Sequence, residues 1–344
     1  MRGPLEHLGD DTMRYTVATK VKNEGAYLLE WVAWQKMLGF DDILVVHNDC
    51  DPIFKEMLYV LENAGWITAA EHFPDENTMP GPSAQRCIQQ HPLVKNADWF
   101  FLCDVDEYLV IHADDPTVQA FLQDRHLNCA GIIVQWKTFG TGSNYVWEDA
   151  LLHRTFVRAA KTKNFANAFY KTFLYQPRRF KHIGAHEPRD FLPEEPWGER
   201  PNVFERADGQ KINFNPNGSP RKYTKPQYIS HEGAQVNHYI TKWFESFSAK
   251  AGARGLYRKS NKPRYSAEFF ERYNRNETRE TSARKLTDRF QPIYDALMTV
   301  PDLKALHHLN CAQYVKMLNE NTGSDPRDDS RYIEHMATAK KLRT

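Results

Sequence analysis

Hydrophobic and polar residues follow one another in the first hundred positions in a pattern that predicts strands separated by helices. "YTVATKV", which begins at Tyr15, is rich in β-branched and aromatic residues and indicates a strand. The following "KNEGAYLLEWVAWQKMLGF" carries apolar residues at helical spacing and stops at Gly39. "DILVVHN" predicts a second strand, after which Asp51 and Pro52 are typical of a helix start. The chain therefore opens with a strand–helix–strand–helix order.

The same alternation continues to position 103. "WITAAEHF" predicts a short third strand, Ser83 predicts the cap of a third helix that runs to about Val94, and "DWFFLC" predicts the fourth strand. Residues 100–103 are apolar without alternation, which indicates a strand that is buried on both faces. These features predict an α/β fold with a mostly parallel sheet flanked by helices.

Polar residues follow three of the predicted strands at the point where each strand ends. In open α/β sheets, ligands bind outside the carboxyl ends of the strands, so agreement between three loops indicates a ligand site at this edge. The residues are, after the first strand, Lys22, Asn23 and Glu24; after the second, Asn48, Asp49 and Asp51; and after the fourth, Asp104, Asp106 and Glu107.

The acids in "FFLCDVDEYLV" admit two interpretations. Three carboxylates within four positions are compatible with a strand end that simply turns into solvent. Alternatively, the D-x-D pair binds a hard cation, because Mg²⁺ and Mn²⁺ prefer oxygen ligands. Repulsion between close exposed charges is of the order of 1 kcal/mol, which a bound cation would relieve.

Three segments together resemble a known enzyme family. "VKNEGAYLLEWVAWQKMLGFDDILVVHNDCD", "ADWFFLCDVDEYLV" and "VNHYITKWFESFSAKAGARG" are similar to bacterial glycosyltransferases of the family 2-like and family 92-like groups. The resemblance touches roughly residues 15 to 255. It implies a GT-A-like (Rossmann-like) fold and metal-assisted transfer of a sugar from a nucleoside diphosphate. Gln35 and Trp243 depart from the family pattern, which leaves the donor open.

The resemblance also implies roles for individual residues. Asp106 would bind Mn²⁺ or Mg²⁺ directly, Asp104 would face the ribose or bind the metal indirectly, and Glu107 would support the turn. His238 would be a third metal ligand, although a buried histidine bonded to backbone is the alternative. The residues implied to border the donor are Lys22, Asn23, Glu24, Asn48, Asp49, Asp104, Lys171 and Lys242. Lys242 is expected on one helix face with His238, where it contacts the diphosphate or solvent.

A general base is required if the transferase inverts the sugar. One carboxylate must then take the proton of the acceptor hydroxyl. Glu187, beside His186, and Asp149, in "VWEDALL", are the two candidates. Asp149 also fits the start of a helix, where the helix dipole favours an acid.

The second half of the chain predicts a less regular organisation. Residues 191–230 contain many Pro, Gly and Asn residues and predict a long loop. This loop either closes over substrate as a lid or is a static surface excursion held by Trp197 and Tyr223. We place a catalytic domain at 14–240 and a helical C-terminal extension at 241–344, in which about the last twenty residues form a solvated tail.

Composition excludes several classes of partner. The 344-residue chain has a formal charge of +1, which argues against nucleic acid as a partner. It lacks an apolar run of roughly 20 residues that could span a membrane, which leaves only peripheral membrane contact open. Five scattered cysteines without a CxxC pair indicate reduced thiols and a cytoplasmic location.

These observations predict a metal-dependent glycosyltransferase. Its partners would be a UDP- or GDP-sugar donor and a glycan or lipid-linked acceptor, as in polysaccharide biosynthesis. A nucleotidyltransferase is the alternative enzyme, although "VKNEGAY" is a poor phosphate loop. A non-catalytic carbohydrate-binding protein on the same fold is the alternative outside enzymes.

Overall fold

The computed structural model describes residues 13–74, 79–127, 129–191, 203–213, 223–250 and 265–343. Its strands are β1 (Tyr15–Val21), β2 (Asp42–His47), β3 (Thr68–Glu71), β4 (Trp99–Leu102), β5 (Glu107–Ile111), β6 (Gly131–Thr138), β7 (Arg158–Ala159), β8 (Tyr170–Tyr175), β9 (Phe180–Ile183), β10 (Pro188–Phe191), β11 (Val203–Arg206), β12 (Lys211–Asn213), β13 (Ala234–His238) and β14 (Thr278–Arg279). Its α-helices are α1 (Gly25–Met37), α2 (Pro52–Asn63), α3 (Pro80–Gln90), α4 (Pro92–Lys95), α5 (Val118–Leu122), α6 (Leu152–Thr155), α7 (Phe244–Ala249), α8 (Ala267–Tyr273), α9 (Thr287–Met298), α10 (Leu303–Thr322) and α11 (Ser330–Leu342).

The central sheet has the strand order β12-β11-β6-β8-β4-β1-β2-β3, and β13 joins β6 to β5 beside this path. The four strands predicted from the pattern, β1 to β4, are all parallel to their neighbours in the order β4-β1-β2-β3. β8 then pairs antiparallel with both β4 and β6. The predicted fold class, a mostly parallel sheet between helices with helices at the C-terminus, is confirmed.

Helices cover both faces of the sheet and create two cores. Val17 and Val45 face the larger core, which includes α1, α2 and the C-terminal helices, whereas Ala18 and Leu44 face a smaller core beneath α3. Eleven of the 13 residues of α1 are buried, because α9 and α10 pack on the side of α1 that faces away from the sheet. A helix covered on every side is apolar all round. The C-terminal helices therefore complete the core of the α/β region.

The third helix differs from its prediction. The structure has α3 from Pro80 and a separate α4 from Pro92, where the sequence predicted one helix from Ser83 to about Val94. Proline fits the first turn of a helix because its missing N–H has no partner there, but inside a helix it removes a hydrogen bond. Pro80 therefore starts the helix early and Pro92 divides it.

The segment 191–230 is not one long loop. Its described part contains β11, which extends the main sheet by pairing parallel with β6, and β12, which pairs with β11. Short strands with few alternating residues give a weak periodic signal, and pairing with a long buried neighbour stabilises them. Residues 192–202 and 214–222, on which the predicted lid depends, lie outside the described residues.

The predicted solvated tail is also wrong. The last residues form α11, which packs along α10. Arg331 at its start makes ion pairs with Glu245 at 2.8 Å and with Asp329 at 2.8 Å. The pair with Glu245 therefore connects the start of α11 to α7.

The five cysteines, all within the described part of the chain, form no disulfide. Among the helices that the structure describes, none is both long enough and apolar enough to cross a bilayer.

Candidate functional site

The acid cluster forms a closed turn between β4 and β5. β4 is buried along its whole length, and the chain reverses at Asp104 and Asp106 before Glu107 begins β5. The backbone N–H of Asp104 donates to Glu107 Oε2 at 2.8 Å, and the N–H of Glu107 donates to the carbonyl of Asp104 at 2.9 Å. These two bonds close the turn and direct the carboxylates of Asp104 and Asp106 towards the edge of the sheet.

Two lysines from neighbouring strands neutralise this turn. Lys171 of β8 is fully buried, and its Nζ lies 3.0 Å from Asp104 Oδ2 and 2.8 Å from Glu107 Oε2. Lys20 of β1 binds the other oxygen of Asp104 at 2.8 Å. β8 and β1 are the two neighbours of β4 in the sheet, so the strand order itself brings the lysines to the acids. Both oxygens of Asp104 are thus occupied by ammonium groups.

The charges around the turn shift its pKa values in opposite directions. Burial alone would raise the pKa of Asp104, but Lys171 and Lys20 hold it well below its ordinary value. Burial raises the pKa of Glu107 to about 7, because Lys171 only partly offsets the cost of a charge in the interior. Asp104 is therefore ionised at neutral pH, whereas Glu107 gains or loses its proton close to neutral pH.

Asp106 lies in a second charge group. Its Oδ1 is 3.8 Å from Nε2 of His238 at the end of β13, and its Oδ2 is 3.9 Å from Nζ of Lys242. Lys242 is also 3.7 Å from Glu24, which precedes α1. Lys242 and His238 do not share a helix as predicted: β13 ends at His238, and Lys242 has a left-handed backbone with φ of 49°. The irregular backbone after β13 turns Lys242 back towards Asp106.

His238 and the nearby His186 enclose one tryptophan ring. The ring of Trp136 lies 4.1 Å from that of His238 and 5.2 Å from that of His186, between centroids. The Nδ1 of His186 is 2.8 Å from the carbonyl of Tyr170, and burial lowers the pKa of His186 to about 3. Trp136 is buried and packs against both imidazole rings.

A cavity of about 800 Å³ opens at the carboxyl ends of β1 and β2, next to the turn. Two lining residues connect it to the acids: Lys20 binds Asp104, and Glu24 contacts Lys242. Helix α10 closes the opposite wall with Asn310, Gln313, Tyr314 and Met317. This volume lies within the range of about 300–1,000 Å³ that is typical of pockets for small molecules.

The structure brings most of the residues predicted to border the donor to this cavity. The lining includes Lys22, Asn23, Glu24, Asn48 and Asp49. Asn23 Oδ1 accepts a bond from the N–H of Asp51 at 2.8 Å, and Lys22 forms an ion pair with Asp49. These contacts join the loops after β1 and β2 into one wall.

Lys171 and Lys242 lie deeper than predicted. They contact the acids of the turn rather than the lining of the cavity. Sequence reasoning missed Lys20 and Lys250, both of which line the cavity, and Glu24 lies 3.7 Å from Lys250. The spacing "KVK" at the end of β1 is a signal that could have indicated Lys20, whereas no local pattern indicates Lys250.

The two candidate bases lie in different places. Glu187 precedes β10, is nearly buried and pairs with Arg189 at 3.2 Å. Asp149 precedes α6, and its carboxylate contacts His307 of α10 at 3.0 Å. Neither Glu187 nor Asp149 is among the residues that line the cavity, and Asp149 is grouped with histidines of α10 and α11.

The sequence of this chain matches the model of one known protein family. A sequence model described as "Glycosyltransferase family 92" matches residues 17–289, a range that includes the acid turn, the cavity strands and β13. No curated protein matches the sequence.

Solved structures show only distant similarity. The chain is 11% identical to residues 1–349 of S. aureus TarS in complex with UDP-GlcNAc, covering 96% of this chain and 91% of that chain with a TM-score of 0.33. It is 12% identical to HddC from Yersinia pseudotuberculosis, covering 56% and 89% with a TM-score of 0.29. It is 8% identical to a putative glucose-1-phosphate thymidylyltransferase from Bacillus anthracis, covering 41% and 63% with a TM-score of 0.26.

Proposed function

The chain belongs to glycosyltransferase family 92, and from this premise we propose that it transfers a sugar from a nucleoside diphosphate sugar to a hydroxyl acceptor. One structural observation supports this proposal in addition to family membership. A cavity of about 800 Å³ at the carboxyl ends of β1 and β2 shares Lys20 and Glu24 with the charge groups of Asp104 and Asp106. A donor in this cavity would therefore have its diphosphate beside the acid turn.

The charges of the cavity support a diphosphate ligand. Lys22 and Lys250 line the wall, and Glu24 raises the pKa of Lys250, so the ammonium group stays charged at neutral pH. Lysine binds phosphate as a compact point charge. Asn23 and Asn48 on the same wall offer donors and acceptors to a ribose or base. The donor would be a UDP- or GDP-sugar.

A divalent cation fits the residues around Asp106. The carboxylate is partly exposed, and both His238 and Lys242 are farther from it than a hydrogen bond, so its oxygens can still take a ligand. A carboxylate oxygen and an imidazole nitrogen 3.8 Å apart can bind one Mn²⁺ or Mg²⁺, whose ligand distances are about 2.1 Å. Asp106 and His238 would hold the cation, and it would offset charge on the departing diphosphate.

Asp104 would act without binding the cation directly. Lys20 and Lys171 occupy both of its oxygens, so a role in orienting Lys20 towards the donor suits it better. Glu187 is the proposed base for the acceptor hydroxyl, because His186 beside it lies within the electrostatic influence of Lys171 and Asp104. The acceptor would be a glycan or a lipid-linked sugar.

The function is tested by nucleotide binding and release with the full chain. We expect UDP or GDP to bind in calorimetry with Mn²⁺ and to bind more weakly after EDTA, and we expect one sugar of a UDP- and GDP-sugar panel to release nucleoside diphosphate. Binding that EDTA leaves unchanged would overturn the cation while the transferase stands. Failure of every nucleotide to bind would overturn the donor site. Release of pyrophosphate with a nucleoside triphosphate and a sugar phosphate would instead identify a nucleotidyltransferase.

The role of His238 is tested by a variant that keeps its ring packing. An alanine there would remove the ring that packs on Trp136, so stability and metal binding would change together. His238→Phe retains an aromatic ring against Trp136 but is somewhat larger than imidazole, and overpacking of this kind costs about 1–3 kcal/mol. We expect His238→Phe to raise the Mn²⁺ concentration needed for half-maximal nucleotide binding by about 10-fold or more.

The control for this variant is the apo protein, measured by urea unfolding. A His238→Phe chain of nearly unchanged stability that still binds nucleotide at the original Mn²⁺ concentration would show that His238 is a core residue and not a ligand.

A further inference from the structure

A cluster of metal-ligating side chains lies away from the acid turn, where α10, α11 and the segment before α6 meet. Asp149 precedes α6, His307, His308 and Cys311 come from α10, and His335 comes from α11. The ligand atoms of Asp149, His308 and His335 all lie within 4.8 Å of one another, and so do those of Asp149, His307 and Cys311. The two sets share the carboxylate of Asp149.

The contact between the two partly exposed imidazoles is the most informative feature. Nδ1 of His308 lies 2.9 Å from Nδ1 of His335. A hydrogen bond needs one donor and one acceptor, so at least one of these nitrogens is unprotonated and directs its lone pair at the other ring. Neutral imidazole nitrogens in such an arrangement are the commonest protein ligands of transition metals. Both rings are accessible enough for an ion to enter.

The third ligand has an orienting partner of its own. Nε2 of His307 lies 3.0 Å and 3.1 Å from the two oxygens of Asp149, and this contact fixes the direction of the carboxylate. Metal-binding carboxylates and histidines are typically held by such outer hydrogen bonds. Cys311 lies behind His307, with Sγ 3.6 Å from Nε2, and is fully buried.

The cluster is separate from the cavity because of the helix on which it lies. Asn310, Gln313, Tyr314 and Met317 of α10 line the cavity. His308 is two positions before Asn310, a rotation of about 200°, and therefore faces the other side of the helix. A ligand in the cavity would not contact it.

We propose that Asp149, His308 and His335 form a transition-metal site that binds Zn²⁺, with His307 as the outer partner that orients Asp149. Two nitrogens and one oxygen are ligands typical of Zn²⁺ and not of Mg²⁺ or Ca²⁺, which prefer oxygen. The three ligands come from three separate segments. A bound ion would fasten α11 to α10 and to the segment before α6, at the position where the sequence predicted a free tail.

The test uses the metal-free full chain with Asp106→Asn in the background, which removes the acid turn as a competing site. We expect calorimetry to show one Zn²⁺ bound per chain and unfolding to show a higher Tm with Zn²⁺. Asp149→Asn and His335→Ala should each raise Kd by more than 100-fold, whereas His307→Ala should raise it by about 10- to 100-fold, as expected for an outer partner. His182→Ala, a surface histidine on β9, is the matched control.

Cobalt provides a spectroscopic readout of the ligand types, which is independent of the affinity measurements. Co²⁺ should produce visible absorption bands that His335→Ala abolishes, without a thiolate charge-transfer band. The proposal is overturned if Zn²⁺ shows no saturable binding, or if Asp149→Asn and His335→Ala bind it as the His182→Ala control does. A charge-transfer band lost in Cys311→Ser would also overturn it, because the ligands would then be Asp149, His307 and Cys311.

Discussion

Replacing Asp106 by asparagine is expected to reduce sugar transfer about 1,000-fold. The side chain keeps its shape, but the charge that would hold the cation next to the donor diphosphate is lost. Charge stabilisation by a metal ion is worth several kcal/mol in the transition state, and about 4 kcal/mol corresponds to about 1,000-fold in rate. The measurement is release of nucleoside diphosphate from the active donor at saturating Mn²⁺, together with nucleotide affinity with and without Mn²⁺.

The fold should tolerate this change. Asp106 is partly exposed, and Lys242 keeps Glu24 as a partner 3.7 Å away. The backbone carbonyl of Asp106, which accepts from Tyr239 at 2.9 Å, is unaffected. Asp115→Asn, which alters an exposed carboxylate that pairs with Arg289, is the matched control. If Asp106→Asn folds, retains metal-dependent nucleotide affinity and transfers sugar at the original rate, the cation site does not include Asp106.

Replacing Lys171 by methionine is expected to lower the free energy of unfolding by about 3–5 kcal/mol, the cost of leaving one side of a buried ion pair uncompensated. Lys171 and Glu107 are both fully buried, and the ammonium group also binds Asp104. Removing the ammonium group of Lys171 leaves the carboxylates of Asp104 and Glu107 close together with no positive charge between them. Urea unfolding at neutral pH measures the loss.

The pH dependence of this loss follows from Glu107. Its native pKa of about 7 lies above the ordinary value of 4.5, so between these pH values the native state binds more protons than the unfolded state. Stability from this group therefore decreases as pH rises through that window. Without Lys171 the pKa of Glu107 would rise further, and the penalty of Lys171→Met should be smaller at pH 5 than at pH 8.

Two further variants separate the buried charge from simple loss of packing. Lys20→Met removes the partner of the partly exposed Asp104 and should cost only about 1 kcal/mol, because water can replace the lysine there. Adding Glu107→Gln to Lys171→Met should recover part of the stability. An equal loss for Lys20→Met and Lys171→Met, or a loss independent of pH, would contradict the charge explanation.

Much of the α/β region could be predicted from sequence because its signals are local. The strand β4 between two helix layers shows as an unbroken apolar run, and the turn that follows α1 contains Gly39, which has the positive φ that favours glycine. The acids of the β4–β5 turn and the polar loops after β1 and β2 follow from where those strands end. The carboxyl ends of parallel strands meet at one edge of the sheet, so the position of a ligand cavity at that edge could also be predicted from the sequence.

What the sequence by itself determined is therefore the order of the elements, the buried strand and the edge at which the acids and the cavity lie. Only the tertiary structure decided which charges meet there. Lys171 is 67 positions from Asp104. The two meet because β8 pairs with β4 in the sheet, and the spacing of residues along the chain does not reveal which strands pair. Asp149 contacts His307, 158 positions away, because α10 packs against the segment before α6. No local sequence pattern indicates this packing. Helical and strand periods report neighbours within a few residues, whereas partners of buried charges are set by packing across the whole chain.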